Sequence, residues 1–201
     1  MGQDEVVERF KPTSGQVLGW IGLTLVALVV VIGLVDRTHG FPPPVVAGAL
    51  VLGVLDWAAM LKPRVLVVGR WLVLRNMLET TRIPLAAVEE IAVQQVLAVR
   101  VGERRFVSPA VGRSLRQALK TRGGPAPTAA AVEARDATAS YPDFVEERIR
   151  HLADEARTLE GVARYSAEQD ALGAQVRREP ALLEIGLLVL TTVAFVVTLL
   201  L

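Results

Sequence analysis

Three stretches of the chain are apolar enough and long enough to cross a lipid bilayer as helices. Residues 16–35 contain no charged side chain, and their length is about what spans a ~30 Å hydrocarbon core. Residues 42–61 form a second apolar run, interrupted only by Asp56, and residues 181–201 form a third. The pattern therefore predicts a transmembrane hairpin over residues 16–61 and a third transmembrane helix at the carboxyl end.

Basic residues flank these runs unevenly, which predicts an orientation. The loop between the first two runs has a single basic residue, Arg37, whereas each of the other flanks has a pair: Arg9 and Lys11, Lys62 and Arg64, and Arg177 and Arg178. By the positive-inside rule, the tail of residues 1–15 and residues 62–180 are cytoplasmic, and the carboxyl terminus lies outside the cell membrane. Other topologies stay open, because the loop assigned to the outside has only one basic residue fewer than each flank assigned to the cytoplasm.

Two acidic residues interrupt the apolar runs, Asp56 and Glu184. An ionisable residue in a membrane span is costly and is by default a candidate functional residue. Asp56 lies about 9 Å along a helix from Lys62, so it can reach the interface or pair with that lysine, and Glu184 is close to Arg177 and Arg178. Three interpretations follow for both acids: interfacial carboxylates with local basic partners, contacts with another subunit, or ion or proton conduction.

Small residues spaced four apart occur in both helices of the predicted hairpin. Gly15 and Gly19 lie at the start of the first helix, and Ala49 and Gly53 lie in the second. This spacing lets two membrane helices approach closely.

From residue 64 onward, the continuous apolar pattern gives way to short segments rich in β-branched residues. The segments RVLVVG, WLVLRN and TTRIPL are separated at Gly69-Arg70 and Asn76, which is typical of antiparallel strands joined by tight turns. The next segment, AAVEEIAVQQ, is ambiguous between a helical turn and a strand. VLAVRVGERRFVS then predicts a hairpin with Gly102-Glu103 at its tip.

A short amphipathic helix is predicted next, in AVGRSLRQALK, where Val111 and Leu115 have helical spacing. Residues 62–121 are therefore predicted to form a small curved antiparallel sheet capped by one helix. Residues 122–140, rich in Gly, Pro, Ala and Thr, predict a flexible or partly extended linker.

An amphipathic helix is predicted over residues 141–178. Its apolar positions alternate four and three residues apart: Val145, Ile149, Leu152, Ala156, Leu159 and Ala163. Charged residues, Arg157 among them, are assigned to its other faces. Three roles stay open: packing on the sheet, a surface for a partner or a second copy, or a stalk leading to the last span.

The run PRVLVVGRWLVLRNMLETTRIPLAAVEEIAV, residues 63–93, resembles the bacterial PH-like domain of small actinobacterial membrane proteins of the low-molecular-weight antigen 6 type. The layout is also similar, with a helical hairpin before the domain, the helix YPDFVEERIRHLADEAR after it, and VRREPALLEIG leading into a final span. The resemblance implies a shortened PH-like sandwich with a carboxyl-terminal helix. Lipid-binding PH domains have a basic motif across the first two strands, where this chain has Arg70 alone.

A different basic cluster follows in residues 100–122, a segment whose only acidic residue is Glu103. Its basic members are Arg100, Arg104, Arg105, Arg113, Arg116, Lys120 and Arg122. Beneath an anionic leaflet, each basic residue near the surface contributes about 1 kcal/mol of attraction. The alternative is a solvated hairpin tip and helix face. We name these seven residues the basic cluster.

Composition narrows the classes of function. The chain has 22 basic and 21 acidic residues, a net charge of +1, so no overall field favours nucleic acid. It has no cysteine, which excludes disulfides and thiol chemistry. His39 and His151 are too separated for a metal centre or an acid–base pair. No glycine-rich phosphate loop, nucleophile elbow or zinc-protease motif occurs.

The sequence therefore predicts an α+β membrane protein with three transmembrane helices, a small cytoplasmic antiparallel sheet with a capping helix, and a long amphipathic helix, and the resemblance implies that the sheet is PH-like. We expect it to be non-enzymatic, without cofactors, and to act as an accessory, assembly or scaffolding subunit of a membrane complex. Its expected partners are membrane lipids and other membrane proteins or a second copy, with no nucleic acid and no small-molecule substrate. The alternative function is binding of anionic lipid headgroups through the basic cluster.

Overall fold

The computed structural model describes residues 6–12, 15–36, 40–112 and 141–201. The chain divides into two compact units. The sheet unit comprises the described parts of Met1–Ser14, Arg64–Leu74 and Thr81–Arg178. The helix unit comprises the described parts of Gly15–Pro63, Arg75–Thr80 and Glu179–Leu201.

The described residues form an α+β fold with two β-sheets. The strands are β1 (Val6–Phe10), β2 (Arg64–Val68), β3 (Trp71–Arg75), β4 (Glu79–Pro84), β5 (Glu90–Val93), β6 (Leu97–Val101), β7 (Arg104–Ser108) and β8 (Arg177–Pro180). One sheet has five strands in the order β1-β2-β3-β4-β8, with β1 antiparallel to β2. The other is the antiparallel meander β5-β6-β7.

The prediction of one curved sheet in residues 62–121 is wrong, because the chain changes sheets after β4. Pro84 ends β4 and has no N–H to donate to a ladder. A single 3₁₀ turn, Leu85–Ala87, follows, and β5 then pairs with β6. The ambiguous segment thus contains both a helical turn and a strand. The β6–β7 hairpin turns at Gly102-Glu103 as predicted, with Gly102 at a φ of 56°.

Two further strands come from segments in which the sequence predicted none. The predicted tail of residues 1–15 contains β1, which pairs along β2 with Phe10 opposite Val65. Phe10 is buried in the core. The range predicted as the amphipathic helix ends at residue 178, inside β8, whose four residues are all exposed.

Apolar side chains from both sheets meet in one core. The strands contribute most of its buried residues: Phe10, Val65, Val67, Leu72, Leu74, Ile83, Ile91, Val93, Leu97, Val99, Val101 and Phe106. Helix α3 (Tyr141–Glu160) packs against the 3₁₀ turn and β5, and contributes Val145, Ile149, Leu152 and Ala153. Of the three roles left open for this helix, the structure supports packing on the sheet.

The predicted helix over residues 141–178 is too long, since α3 ends at Glu160. Gly161 follows with a φ of 68°, a left-handed conformation that glycine adopts without strain. Its N–H donates to Thr158 O at 3.3 Å, and Val162 N–H donates to Arg157 O at 3.0 Å. These two bonds form a Schellman motif, which satisfies the last carbonyls and stops the helix. Helix α4 (Ala167–Gly173) then begins after its N-cap, Ser166.

The helix unit contains three helices that are long and apolar enough to cross a membrane. They are α1 (Gln16–Val35), α2 (Pro43–Asp56), which a π-helical turn at Trp57–Leu61 extends, and α5 (Leu182–Leu200). Helix α2 contacts both α1 and α5. The predicted ranges 16–35, 42–61 and 181–201 agree with these helices to within one residue at each end.

Helices α1 and α2 approach closely at glycines. A Cβ atom added at Gly19 would lie 2.9 Å from Met60 Cβ, and one added at Gly53 would lie 2.9 Å from Val26 Cγ1. Real Cβ atoms essentially never come this close to another atom. The hairpin therefore packs through small residues at the spacing noted in the sequence.

Replacing Gly19 by alanine is expected to destabilise the helix unit. Gly186 in α5 is the matched control, because a Cβ there meets nothing within 4 Å. Both changes gain helix propensity, so the contacts with Met60 and Leu61 distinguish them. We expect Gly19→Ala to be less stable than Gly186→Ala by about 1–3 kcal/mol, the usual cost of overpacking. Thermal denaturation in detergent micelles measures this difference, and equal stabilities would contradict the close approach.

Candidate functional site

Three members of the basic cluster, Arg100, Arg104 and Arg105, lie in the β6–β7 hairpin. The other four, Arg113, Arg116, Lys120 and Arg122, lie outside the described residues, as do His39, the linker and most of the predicted capping helix. The structure therefore places the hairpin part of the cluster only.

Arg100 is engaged by two glutamates. Its Nε lies 3.4 Å from Glu89 Oε2 and 3.4 Å from Glu90 Oε2. Glu89 is buried, and its Oε1 accepts a hydrogen bond from Gly102 N–H at 2.9 Å. Arg100 thus neutralises a buried carboxylate that also holds the hairpin turn, so this member of the cluster has a structural role.

Arg104 and Arg105 are different, because both are exposed. Neither side chain forms an ion pair or a hydrogen bond with any other described residue. Arg105 lies directly opposite Arg100, and Arg104 lies opposite Val101 beside the turn. These two side chains are the part of the cluster whose charge remains uncompensated within the described chain.

The outer face of the three-stranded sheet has two rows of side chains. The strand registers place Glu90, Arg100 and Arg105 in one row across the sheet. Ala92, Ala98 and Val107 form the neighbouring row. Since side chains alternate along a strand, this face is opposite the one that enters the core. We call these six residues the outer face.

Two polar side chains hold the 3₁₀ turn that connects the two sheets. Arg157 in α3 is buried, and its Nη1 donates to Val88 O at 2.6 Å. Gln169 in α4 is also buried, and its Nε2 donates to Ala86 O at 3.0 Å and Val88 O at 3.3 Å. These carbonyl groups lie between the two sheets, and the side chains of α3 and α4 supply their hydrogen-bond donors. Helices α3 and α4 therefore hold the segment in which the chain passes from one sheet to the other.

The assignment of Arg157 to a face of the helix other than the buried apolar one is therefore wrong. Burial lowers the pKa of Arg157, and the nearby positive charge of Arg164 lowers it further. Asp154 forms an ion pair with the guanidinium. The spacing contained a signal: Ile149, Ala153 and Arg157 are four residues apart, which places all three on one side of a helix.

A cleft of about 190 Å³ lies beside this arginine, between α3 and β5. Its charged lining residues are Glu89, Glu90, Arg150, Arg157 and Arg164. Each arginine has a carboxylate nearby. Arg150 pairs with Glu146 at 2.7 Å and Glu147 at 2.6 Å, and Arg164 lies 3.9 Å from Asp154. Every arginine that lines the cleft therefore has a carboxylate partner, with Asp154 shared by Arg157 and Arg164.

Polar contacts also tie strand β1 to helix α3. Arg148 Nε donates to Glu8 Oε1 at 2.6 Å, and Lys11 N–H donates to the Tyr141 hydroxyl at 2.6 Å. The hydrogen bond and the charge of Glu8 raise the pKa of Arg148. These contacts connect the amino-terminal strand to a helix that lies about 130 residues later in the sequence.

In the helix unit, Glu184 pairs with Lys62. The Lys62 Nζ atom lies 2.6 Å from Glu184 Oε1 and donates to Met77 O at 3.2 Å. Both charged side chains are largely buried. The sequence had placed Glu184 beside Arg177 and Arg178. Arg178 instead lies over the Phe106 ring, 5.1 Å from its centroid.

Asp56 is left without the partner that the sequence proposed for it. Lys62, its nearest basic residue in sequence, is engaged with Glu184. The Oδ2 atom of Asp56 is buried and has no hydrogen-bond partner among the described residues. A Cβ atom at Gly22 would lie 2.8 Å from this oxygen, so the glycine makes room for the carboxylate. This contact was not predicted.

Within the described ranges, no group of three or more His, Asp or Glu side chains is arranged to hold a metal ion. Comparisons of the chain with protein-family models, with curated proteins and with solved structures gave no match.

Proposed function

We propose that this chain is a non-enzymatic integral membrane protein that presents a PH-like module on the cytoplasmic side and serves as an accessory or scaffolding subunit of a membrane protein complex. In this proposal the amino terminus and residues 62–180 are cytoplasmic, and the carboxyl terminus is outside. The flanking basic residues support that orientation.

The exposed surface of the helix unit supports membrane insertion. In the most apolar 18-residue stretch of α5 no residue is buried, and in the corresponding stretch of α1 only 6% of the residues are buried. Contiguous apolar surfaces of this size are rare on proteins that face water on all sides. A bilayer would cover them.

Two features of the sheet unit support the PH-like part of this proposal. It contains two antiparallel sheets around one core and a helix, α3, that comes later in the chain and packs on that core. Tethering at both ends to apolar helices would hold such a module against the cytoplasmic surface, where it can contact the cytoplasmic parts of neighbouring membrane proteins.

The outer face is the observation that carries the assembly proposal. It combines charges of both signs, Glu90 and Arg100, with a row of small apolar side chains in which Val107 is 47% exposed. An anionic leaflet would repel Glu90, whereas a protein surface can complement both rows at once. The face therefore fits a protein partner better than it fits a lipid headgroup layer.

The exposed Arg104 and Arg105 favour the second candidate function, binding of anionic lipid headgroups. Each is free to contribute about 1 kcal/mol near an anionic leaflet. In the sequence they precede residues 113–122, where the remaining four members of the basic cluster occur.

Native mass spectrometry of the full chain, extracted from its own cells in mild detergent, distinguishes the two functions. We expect a second polypeptide at fixed stoichiometry. Ala92→Arg, at an exposed position on the β5 side of the outer face, is expected to release it, while Leu159→Arg on an exposed part of α3 is the control and should retain it.

The opposite pattern would support the lipid function. A lone polypeptide that carries anionic lipids, and loses them in Arg104→Gln/Arg105→Gln, would replace the assembly proposal. The full chain is used because strand β1 lies before the first membrane helix, so a fragment starting at residue 62 would lack part of its sheet.

A further inference from the structure

Asp56 combines three properties that seldom occur together in a membrane helix. Its side chain is only half-buried, so part of it reaches the outer surface of the helix unit. Its Oδ2 atom is buried against Gly22 and accepts no hydrogen bond from any described residue. It also lies inside the apolar part of the helix, about 9 Å along the axis from Lys62 at ~1.5 Å per residue.

A carboxylate in this position needs a hydrogen-bond donor or a positive charge. Water is scarce at this depth, and an isolated charge in an apolar medium is costly unless another group compensates it. Acidic residues in membrane spans are accordingly found paired or facing a polar cavity. Asp56 has neither kind of partner in the described chain.

The missing positive charge is not available from this chain's own spans. Residues 16–35, 43–61 and 182–200 contain no lysine, arginine or histidine. Lys62, just beyond the second span, is held by Glu184 and by Met77 O. A second copy of the chain would bring the same spans and therefore no basic residue at this depth.

We infer that Asp56 is the docking point for a membrane helix of a different protein, one that carries a lysine or arginine at the same depth. The inference rests on the proposed function as a subunit of a complex, and it specifies the chemistry of the partner. Gly22 keeps the carboxylate seated between α1 and α2, and the exposed part of Asp56 is where the basic side chain binds. Charge complementarity inside the bilayer then selects the partner.

A synthetic peptide tests this directly. The probe is a membrane-spanning oligoleucine helix with one lysine about 9 Å from its cytoplasmic end, and the matched peptide has leucine there. Association with the full chain in phosphatidylcholine vesicles is measured by energy transfer to a dye on Leu201→Cys, the only cysteine in that variant.

We expect the lysine peptide to associate with the chain and the leucine peptide to associate much less. Asp56→Asn, which keeps the shape and removes the charge, is expected to weaken binding of the lysine peptide by about tenfold or more. Asp36→Asn at the other end of α1 is the control and should leave binding unchanged. Equal binding to Asp56→Asn, equal binding of both peptides, or no binding at all would overturn the inference.

The native complex separates failure of this inference from failure of the proposed function. If Asp56→Asn loses the second polypeptide in mild detergent while Asp36→Asn retains it, the result supports both the inference about Asp56 and the proposed function. If Asp56→Asn retains the polypeptide, the inference fails and the assembly function stands. If the wild-type chain is recovered alone, the proposed function fails.

Discussion

Replacing Ile149 by alanine is expected to lower the free energy of unfolding of the sheet unit by about 3 kcal/mol. Ile149 is fully buried and joins α3 to the core formed by the two sheets. Alanine would remove most of that side chain and leave a cavity, because the surrounding strands can only partly close it. A urea titration measures the effect, with Trp71 in β3 as reporter and the two tryptophans of the helix unit, Trp20 and Trp57, replaced by phenylalanine.

At a slope of ~1.5 kcal/mol/M, this loss corresponds to a urea midpoint about 2 M lower. Leu159→Ala is the matched control, since Leu159 belongs to the same apolar stripe in sequence but is 80% exposed. It should change the stability by less than about 0.5 kcal/mol. If the whole stripe were a surface for a partner, both variants would leave the stability of the isolated chain unchanged.

The membrane-type helices and the central strands could be predicted because their signals are local. An apolar run of about 20 residues has few soluble alternatives. Strands β2 and β3 and the β6–β7 hairpin are bounded by turn residues, and Gly69 and Gly102 have the positive φ that those turns require. Each of these elements is specified within the segment that forms it.

The edge strands could not be predicted in this way. Strand β8, with sequence RREP, has no apolar alternation and is exposed along its whole length. It is a strand only because β4 lies beside it. The pattern of β1 is equally short, and its pairing depends on β2, which follows only after the first two helices. Pairing between distant segments decides such elements, and a local pattern does not contain it.

The end of α3 at Glu160 could have been predicted from the local sequence, but the predicted helix extended past it. The apolar spacing continues through Leu159 and Ala163, which favoured a longer helix. Gly161 is the stop signal, and its Schellman bonds outweigh two apolar positions that the fold leaves exposed. The end of this helix is thus determined by the hydrogen bonds of its last backbone carbonyl groups rather than by the spacing of its apolar residues.

The candidate sites show the same division between local and distant information. The sequence identified Asp56, Glu184 and the basic cluster as residues needing an explanation. It did not determine that Lys62 is engaged by Glu184, or that Glu89 engages Arg100, because each ion pair depends on which of several nearby charges the fold brings closest.

Replacing Lys62 by methionine is expected to destabilise the helix unit by about 3 kcal/mol, the cost of removing one partner from a buried ion pair. The Lys62 and Glu184 side chains are 14% and 12% exposed, and the Nζ–Oε1 distance is 2.6 Å. The variant leaves Glu184 without its counter-charge and Met77 O without its donor. Thermal denaturation in micelles, followed at Trp20 and Trp57 in a Trp71→Phe background, measures the loss.

Two comparisons show whether the loss comes from an unpaired buried charge. Lys62→Met/Glu184→Met removes both charges with side chains of similar size, and we expect it to recover most of the stability, to within about 1 kcal/mol of the wild type. Glu160→Gln tests a surface pair, because Glu160 lies 3.9 Å from Arg70, which is 48% exposed, and it should cost less than about 1 kcal/mol. If the double variant were as unstable as Lys62→Met alone, packing of the lysine stem would account for the loss. Recovery would instead mean that Lys62 is committed to Glu184, and Asp56 would then have to find its positive charge elsewhere.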